Sequence, residues 1–197
     1  ALFGAYIVGV EIVFRMTAAS IFWEFSKYSV IIFCLLGMFR GDIKVHKVSI
    51  LMVIYILSFL PSIIFIPFES FNSWRQLVAF NLSGPLSLFI CVLYFRNKLF
   101  SEYDAKRLFR VIIYPILTVS TIIILRLPNI ETIVFSNEAN QVFSGYYGPN
   151  QVSSILGVLI AIICLTKILN FKIFNNEIFD YLVLGICSIQ AFLTFAR

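Results

Sequence analysis

Five basic residues stand where apolar runs begin or end. Arg126 and Arg197 each close a run, Arg75 opens one, Lys27 lies at the edge of another, and Arg15 follows a partial run. A guanidinium is a planar fork that grips phosphate oxygens at two points. Cations held at one depth of a bundle therefore suit a lipid-linked phosphate. The plainer alternatives are that each side chain snorkels toward headgroups, or that Glu11, Glu24, Glu69, Glu131 and Glu138 close an ordinary ion-pair network.

A second group is Gly145-Tyr-Tyr-Gly-Pro-Asn-Gln151. Gly148-Pro149 forces a turn, Pro149 suits a first helical position, and Asn150 is placed to cap the helix that follows. Tyr146, Tyr147, Asn150 and Gln151 also form the mixture of aromatic rings and amides with which a protein stacks on and hydrogen-bonds to a sugar. A third group is Asn81-Leu-Ser-Gly-Pro85. Pro85 removes the helix hydrogen bond to Asn81, Asn81 and Ser83 offer polar replacements, and Gly84 leaves room for a neighbouring helix. This group reads first as a kink and second as a ligand contact, and Pro61 and Pro115 read as kinks as well. The sequence has no phosphate-cradling loop ending in Lys-Ser/Thr, no H-E-x-x-H and no paired aspartates for a metal. The only histidine, His46, lies in a basic loop, and Cys34, Cys91, Cys164 and Cys187 sit in apolar runs as small packing residues. No cofactor and no metal are expected.

The elements that must hold these residues are set by composition. Of 197 residues 60% are hydrophobic and 13% charged, and Phe alone contributes 22. Soluble domains carry about 25% charged residues, so the solvent of this chain must be largely lipid. A spanning helix needs about 20 mostly apolar residues. The runs at 1–13 (partial), 28–39 (with 22–27 as its outer turn), 48–68, 77–95, 108–125, 151–168 and 178–196 give about seven helices. Strands fail because the runs neither alternate nor stay short, and lipid admits only helices or closed barrels. The fold expected is an all-α, polytopic transmembrane helical bundle forming a single multi-pass domain over 1–197. It begins at Ala1 and stops at Arg197 directly after an apolar run, which reads as a truncated piece.

Lys and Arg set the orientation. Alternating sides place Arg40, Lys44, Lys47, Arg96, Lys98, Lys106, Arg107, Arg110, Lys167 and Lys172 on one side, and Arg15, Lys27, Arg75, Arg126 and Arg197 on the other. The richer side is cytoplasmic. Trp23 and Trp74 then fall on the outer side as interface anchors, and the long polar connection 127–150 is outer. The basic run 96–110 is a topology determinant that touches anionic lipid, and nucleic acid is not a partner.

Three stretches resemble the O-antigen ligase and O-antigen polymerase family of bacterial envelope proteins. Phe143-Ser-Gly-Tyr-Tyr-Gly-Pro-Asn-Gln-Val152 is similar to the family's outer loop before a helix. Ala191-Phe-Leu-Thr-Phe-Ala-Arg197 is similar to its Thr-x-Ser-Arg-Gly-like helix end, with Ala196 in place of the serine. Trp23-Glu-Phe-Ser-Lys-Tyr28 with Arg40-Gly41 is a weaker likeness. The resemblance implies metal-independent glycosyl transfer at the periplasmic face of the bacterial inner membrane. The donor would be an undecaprenyl-diphosphate-linked glycan, and the acceptor lipid A-core for a ligase or a lipid-linked repeat for a polymerase. It also implies that the family's large outer loop and later helices lie beyond Arg197, so that this piece alone is inactive.

On this reading Arg197 is catalytic, stabilising the leaving diphosphate. Arg126 and Arg75 support it, and Tyr146, Tyr147, Asn150 and Gln151 shape the sugar side. Two rivals use the same residues: a transporter or flippase for anionic or lipid-linked envelope substrates, with the basic ring as its vestibule, and a non-catalytic scaffold of an envelope complex.

Overall fold

A computed structural model describes residues 1–19, 22–40, 50–66, 70–96, 98–128 and 141–194. Arg197, Ala196, His46, Lys44, Lys47 and residues 129–140 of the long polar connection lie outside the described residues.

The described residues form seven α-helices and no strand: α1 (Leu2–Met16), α2 (Phe25–Arg40), α3 (Ile50–Ile64), α4 (Phe71–Phe95), α5 (Glu102–Arg126), α6 (Pro149–Ile168) and α7 (Glu177–Thr194), with a single 3-10 turn at Val142–Ser144. Helices α4 to α7 are long and apolar enough to cross a membrane, and α3 is apolar but shorter. At 1.5 Å per residue, the 25 residues of α4 and of α5 reach roughly 37 Å, beyond the roughly 30 Å of a hydrocarbon core. Large apolar side chains stand on the outward faces: Leu125 of α5 is 79% exposed and Phe192 of α7 75%, and Ile64 of α3 is 81% exposed. In water such a surface would be a large exposed apolar patch of the kind that marks a membrane or partner contact.

The chain folds as two compact units, one built on α2, α3 and α4, the other on most of α1 with α5, α6 and α7. In the first, α2 and α4 run parallel. Glu24 faces Ser83, Cys34 faces Cys91 with the sulfurs 3.9 Å apart, and Gly37 faces Tyr94. Val30, Cys34 and Tyr94 form the small core between them. A Cβ on Gly37 would stand 2.5 Å from the Tyr94 ring, so the absence of a side chain there is what lets the helices meet. Helix α3 packs on α4 and buries none of its own residues. Gly84, expected to admit a neighbour, has nothing within 4 Å of its Cβ position. The close approaches fall at Gly37 and, in the second unit, at Gly9, where a Cβ would lie 2.5 Å from the Ile112 carbonyl.

In the second unit α1, α5 and α7 are parallel and α6 runs back between its neighbours in sequence. Gly9 meets Ile112 and Pro115, and Met16 meets Arg126. Ser120 meets Gln190, and Lys167 of α6 pairs with Asp180 of α7. The core is one aliphatic cluster. Ile113, Ile116, Val119 and Ile123 come from α5, Val152, Ile155, Leu156, Leu159 and Ile163 from α6, and Val183 and Cys187 from α7. Their spacing of three and four is one face of each helix. Pro61, Pro85 and Pro115 each lie inside a continuous helix.

Candidate functional site

The helix starts put polar groups where the apolar runs do not reach. Ser70 caps α4 in a reciprocal box with Ser73. The helix therefore begins at Phe71, and Ser73, Arg75 and Gln76 are helical. Arg75 is exposed, and among the described residues no carboxylate pairs with it. It lies on a cleft of about 930 Å³ in the first unit, lined also by Phe22, Trp23, Glu24, Tyr28, Ser73, Gln76 and Phe80. Glu24 is buried there, with one oxygen held by Lys27 Nζ at 2.6 Å and by the Ser83 hydroxyl at 2.6 Å. Its other oxygen is buried and has no hydrogen-bond partner. Lys27 also stands 5.7 Å from the centre of the Phe80 ring.

In the second unit, Arg126 closes α5 and donates from Nη1 to the Gly145 carbonyl and from Nη2 to the Met16 carbonyl, each at 3.2 Å. This exposed guanidinium thus ties the ends of α1 and α5 to the turn before α6. A guanidinium has five N–H donors, so the two bonds leave others for an anion. The turn itself is held by the buried Ser144, whose hydroxyl donates to the Gln141 carbonyl at 2.8 Å. Gly145 and Tyr146 follow in left-handed conformations. Tyr146 is exposed, while Tyr147 packs half-buried on the aliphatic core.

Helix α6 starts with Pro149 at its first position, as the sequence indicates. Asn150 does not cap it. Gly148 occupies the cap position with no side-chain bond, and the Asn150 carbonyl instead accepts from the Ser153 and Ser154 hydroxyls. The proline moves the helix start two residues earlier than a cap at Asn150 requires. Gln151 lies against Gly148, and its Oε1 is buried without a hydrogen-bond partner.

Arg126, Tyr146, Tyr147, Asn150 and Gln151 therefore gather at one end of the second unit, and Arg75 belongs to the first. Arg197 lies outside the described residues. Two further basic residues of the same sequence group are ion-paired, Arg15 with Glu11 and Lys27 with Glu24. The opposite end of the second unit carries Lys106, Arg107, Arg110, Lys167 and Lys172. There Arg110 donates to the Ile173 carbonyl and to Asn175, and the fully buried Asp180 accepts from Lys167 and from the Ile173 and Phe174 amides. That end is a structural clamp on the α6–α7 turn.

Ser83 and Glu24 are the residues whose joint role sequence reading missed. Ser83 reads as a kink residue and Glu24 as an ion-pair partner, and the 59 positions between them carry no local signal of contact. Among the described residues no group of three His, Cys, Asp or Glu side chains is placed to hold a metal ion. Compared with protein-family models, curated proteins and solved structures, the chain matches none.

Proposed function

We propose that this chain is part of a polytopic membrane glycosyltransferase of the O-antigen ligase or polymerase kind. It would act on an undecaprenyl-diphosphate-linked glycan at the periplasmic face of the bacterial inner membrane, with lipid A-core or a lipid-linked repeat as acceptor. The observation that carries the reading is the placement, at one end of the second unit, of an exposed guanidinium that has spare donors with an exposed tyrosine, Arg126 and Tyr146. A diphosphate takes the guanidinium, and the exposed Tyr146 ring offers a face to the sugar. Arg75 supports the same chemistry from the first unit. Arg197 stabilises the leaving diphosphate, whose negative charge grows as the glycosidic bond to it breaks.

The charge partition supports the orientation. Among the described residues of the second unit, five basic residues at the α6–α7 turn end face two, Arg15 and Arg126, at the other. The cation-rich end therefore faces the cytosol, and the Arg126 end faces outward. Helices α1 to α3 complete the membrane domain as further spans. The test is replacement of Arg197 by Ala and by Lys in the full-length gene, with surface polysaccharide displayed by length on a gel. Ala abolishes long chains, and Lys restores them only in part because it lacks the planar fork. Normal chain length and attachment with Ala overturn the assignment.

A further inference from the structure

We infer that the first unit carries, between α2 and α4, a binding site for the soft monovalent cation copper(I). Its ligands are the sulfurs of Cys34, Cys91 and Met38. The two cysteines read in the sequence as packing residues, yet the parallel helices bring them together across 57 positions of chain. Their sulfurs stand 3.9 Å apart, one thiol donating to the other. That spacing suits a shared metal. Two sulfurs each about 2.3 Å from one ion, and 3.9 Å from each other, subtend roughly 116°, close to trigonal. A disulfide would need them to close to about 2.05 Å, whereas an ion accepts them where they stand. Met38 supplies the third corner. It lies one turn beyond Cys34 on α2, hence on the same face, and packs on the small core that holds Cys34 and Tyr94. Its three rotatable bonds let the thioether reach the ion.

The ligand chemistry selects the ion. Thiolates and a thioether are soft donors that favour copper(I), while magnesium, calcium and manganese take oxygen. Zinc also accepts thiolates, but its structural sites close with four ligands, and three sulfurs leave it one short. The charge closes as well. Copper(I) displaces both thiol protons to solvent, so the loaded centre carries one negative charge. Lys98 stands 3.5 Å from the centre of the Tyr94 ring, and Tyr94 belongs to the same core, so an ammonium lies close enough to offset that charge. Ser87, one turn before Cys91 on α4, has its hydroxyl within hydrogen-bonding reach of the Cys91 sulfur and steadies the thiolate. Cys34 is 4% exposed, which keeps water from competing, and the half-buried Cys91 leaves the ion a way in. The site stands on these sulfurs alone, whether or not the chain transfers a sugar.

The experiment uses the full chain in lipid nanodiscs, reduced and held under argon, and titrates it with copper(I) buffered by bathocuproine disulfonate. Bound copper is counted per chain, its ligands are read by X-ray absorption, and thiols left free are alkylated with iodoacetamide and mapped by mass spectrometry. One copper per chain is expected, with sulfur neighbours at about 2.3 Å. Copper should protect Cys34 and Cys91 and leave the exposed Cys164 alkylated as before. Cys34→Ser and Cys91→Ser should each weaken binding roughly 100-fold or more, and Met38→Leu, which keeps the volume, about tenfold with one sulfur lost from the absorption spectrum. Thiol protection in the parent chain needs no variant, so the inference stays testable if a serine variant fails to fold. Copper passing wholly to bathocuproine overturns it. So do protection of Cys164 in place of the pair, oxygen and nitrogen neighbours without sulfur, or binding unchanged in either serine variant. An unchanged sulfur count in Met38→Leu overturns the three-sulfur site. Normal polysaccharide assembly with Arg197→Ala would sink the transferase role and leave this site standing.

Discussion

Arg126 has one role that its hydrogen bonds show and one that is proposed above, and a single pair of substitutions separates them. Its guanidinium bonds two main-chain carbonyls, Gly145 and Met16, at 3.2 Å each. Each such bond contributes about 0.5–1.5 kcal/mol net. The side chain is exposed, so water replaces part of what is lost, and Arg126→Ala should cost about 1–2 kcal/mol. For a chain near 200 residues that corresponds to a fall in Tm of about 2–8 °C. Arg126→Lys reaches one carbonyl and should lose about half as much. The proposed anion-binding role scales differently. Removing a charged donor from a phosphate is worth about 2–4 kcal/mol, or roughly 30- to 1,000-fold. The assay is titration of the purified protein in nanodiscs with farnesyl diphosphate and, in parallel, farnesol, with Tm measured on the same samples. Arg126→Ala should weaken the diphosphate at least 30-fold and farnesol no more than twofold, with Lys intermediate for the diphosphate. A change under threefold in diphosphate affinity, alongside the expected fall in Tm, would leave Arg126 as a staple only and remove the phosphate contact from the mechanism.

Two further predictions test the packing. With Cys34 and Cys91 retained and Cys164 and Cys187 replaced, copper phenanthroline should join the pair, since sulfurs 3.9 Å apart need only close to roughly 2.05 Å; failure to recover the linked peptide on non-reducing mapping would refute the parallel α2–α4 pairing. Asp180→Ala strips the acceptor from the Ile173 and Phe174 amides and from Lys167, at about 1–3 kcal/mol for each buried donor, and Asp180→Asn should cost about half the total. A Tm for the alanine variant within about 1 °C of the parent would show that the clamp at the α6–α7 turn contributes nothing.

The sequence makes the helices legible and leaves their pairing hidden. The apolar runs ending at Phe95, Leu125 and Ile168 stop within a residue of α4, α5 and α6, because hydropathy falls sharply where a helix leaves lipid. Their starts are less visible. Helix α4 opens at Phe71 and α5 at Glu102, six residues before the apolar runs at 77 and 108, because Ser70 and Ser101 cap turns that are themselves polar. Pro149 announces α6 correctly, and the expected cap at Asn150 gives way to Gly148 for the same reason that the proline fits. Of the proposed phosphate and sugar residues, Arg126, Tyr146, Tyr147 and Gln151 could be picked out by type and by their place at the edges of apolar runs. The cleft around Glu24 could not. There Glu24 meets Ser83 from another helix, and the register between two helices leaves no periodic trace in one sequence.

The Ser120–Gln190 contact has a mechanical consequence. The Ser120 hydroxyl donates to Gln190 Oε1 at 2.6 Å, and Gln190 Nε2 donates back to the Ser120 carbonyl at 3.2 Å, with both residues buried. Sliding α7 along α5 by one turn, about 5.4 Å, would break both bonds where no water can replace them. The pair therefore acts as a detent that opposes a one-turn shift of α7 against α5.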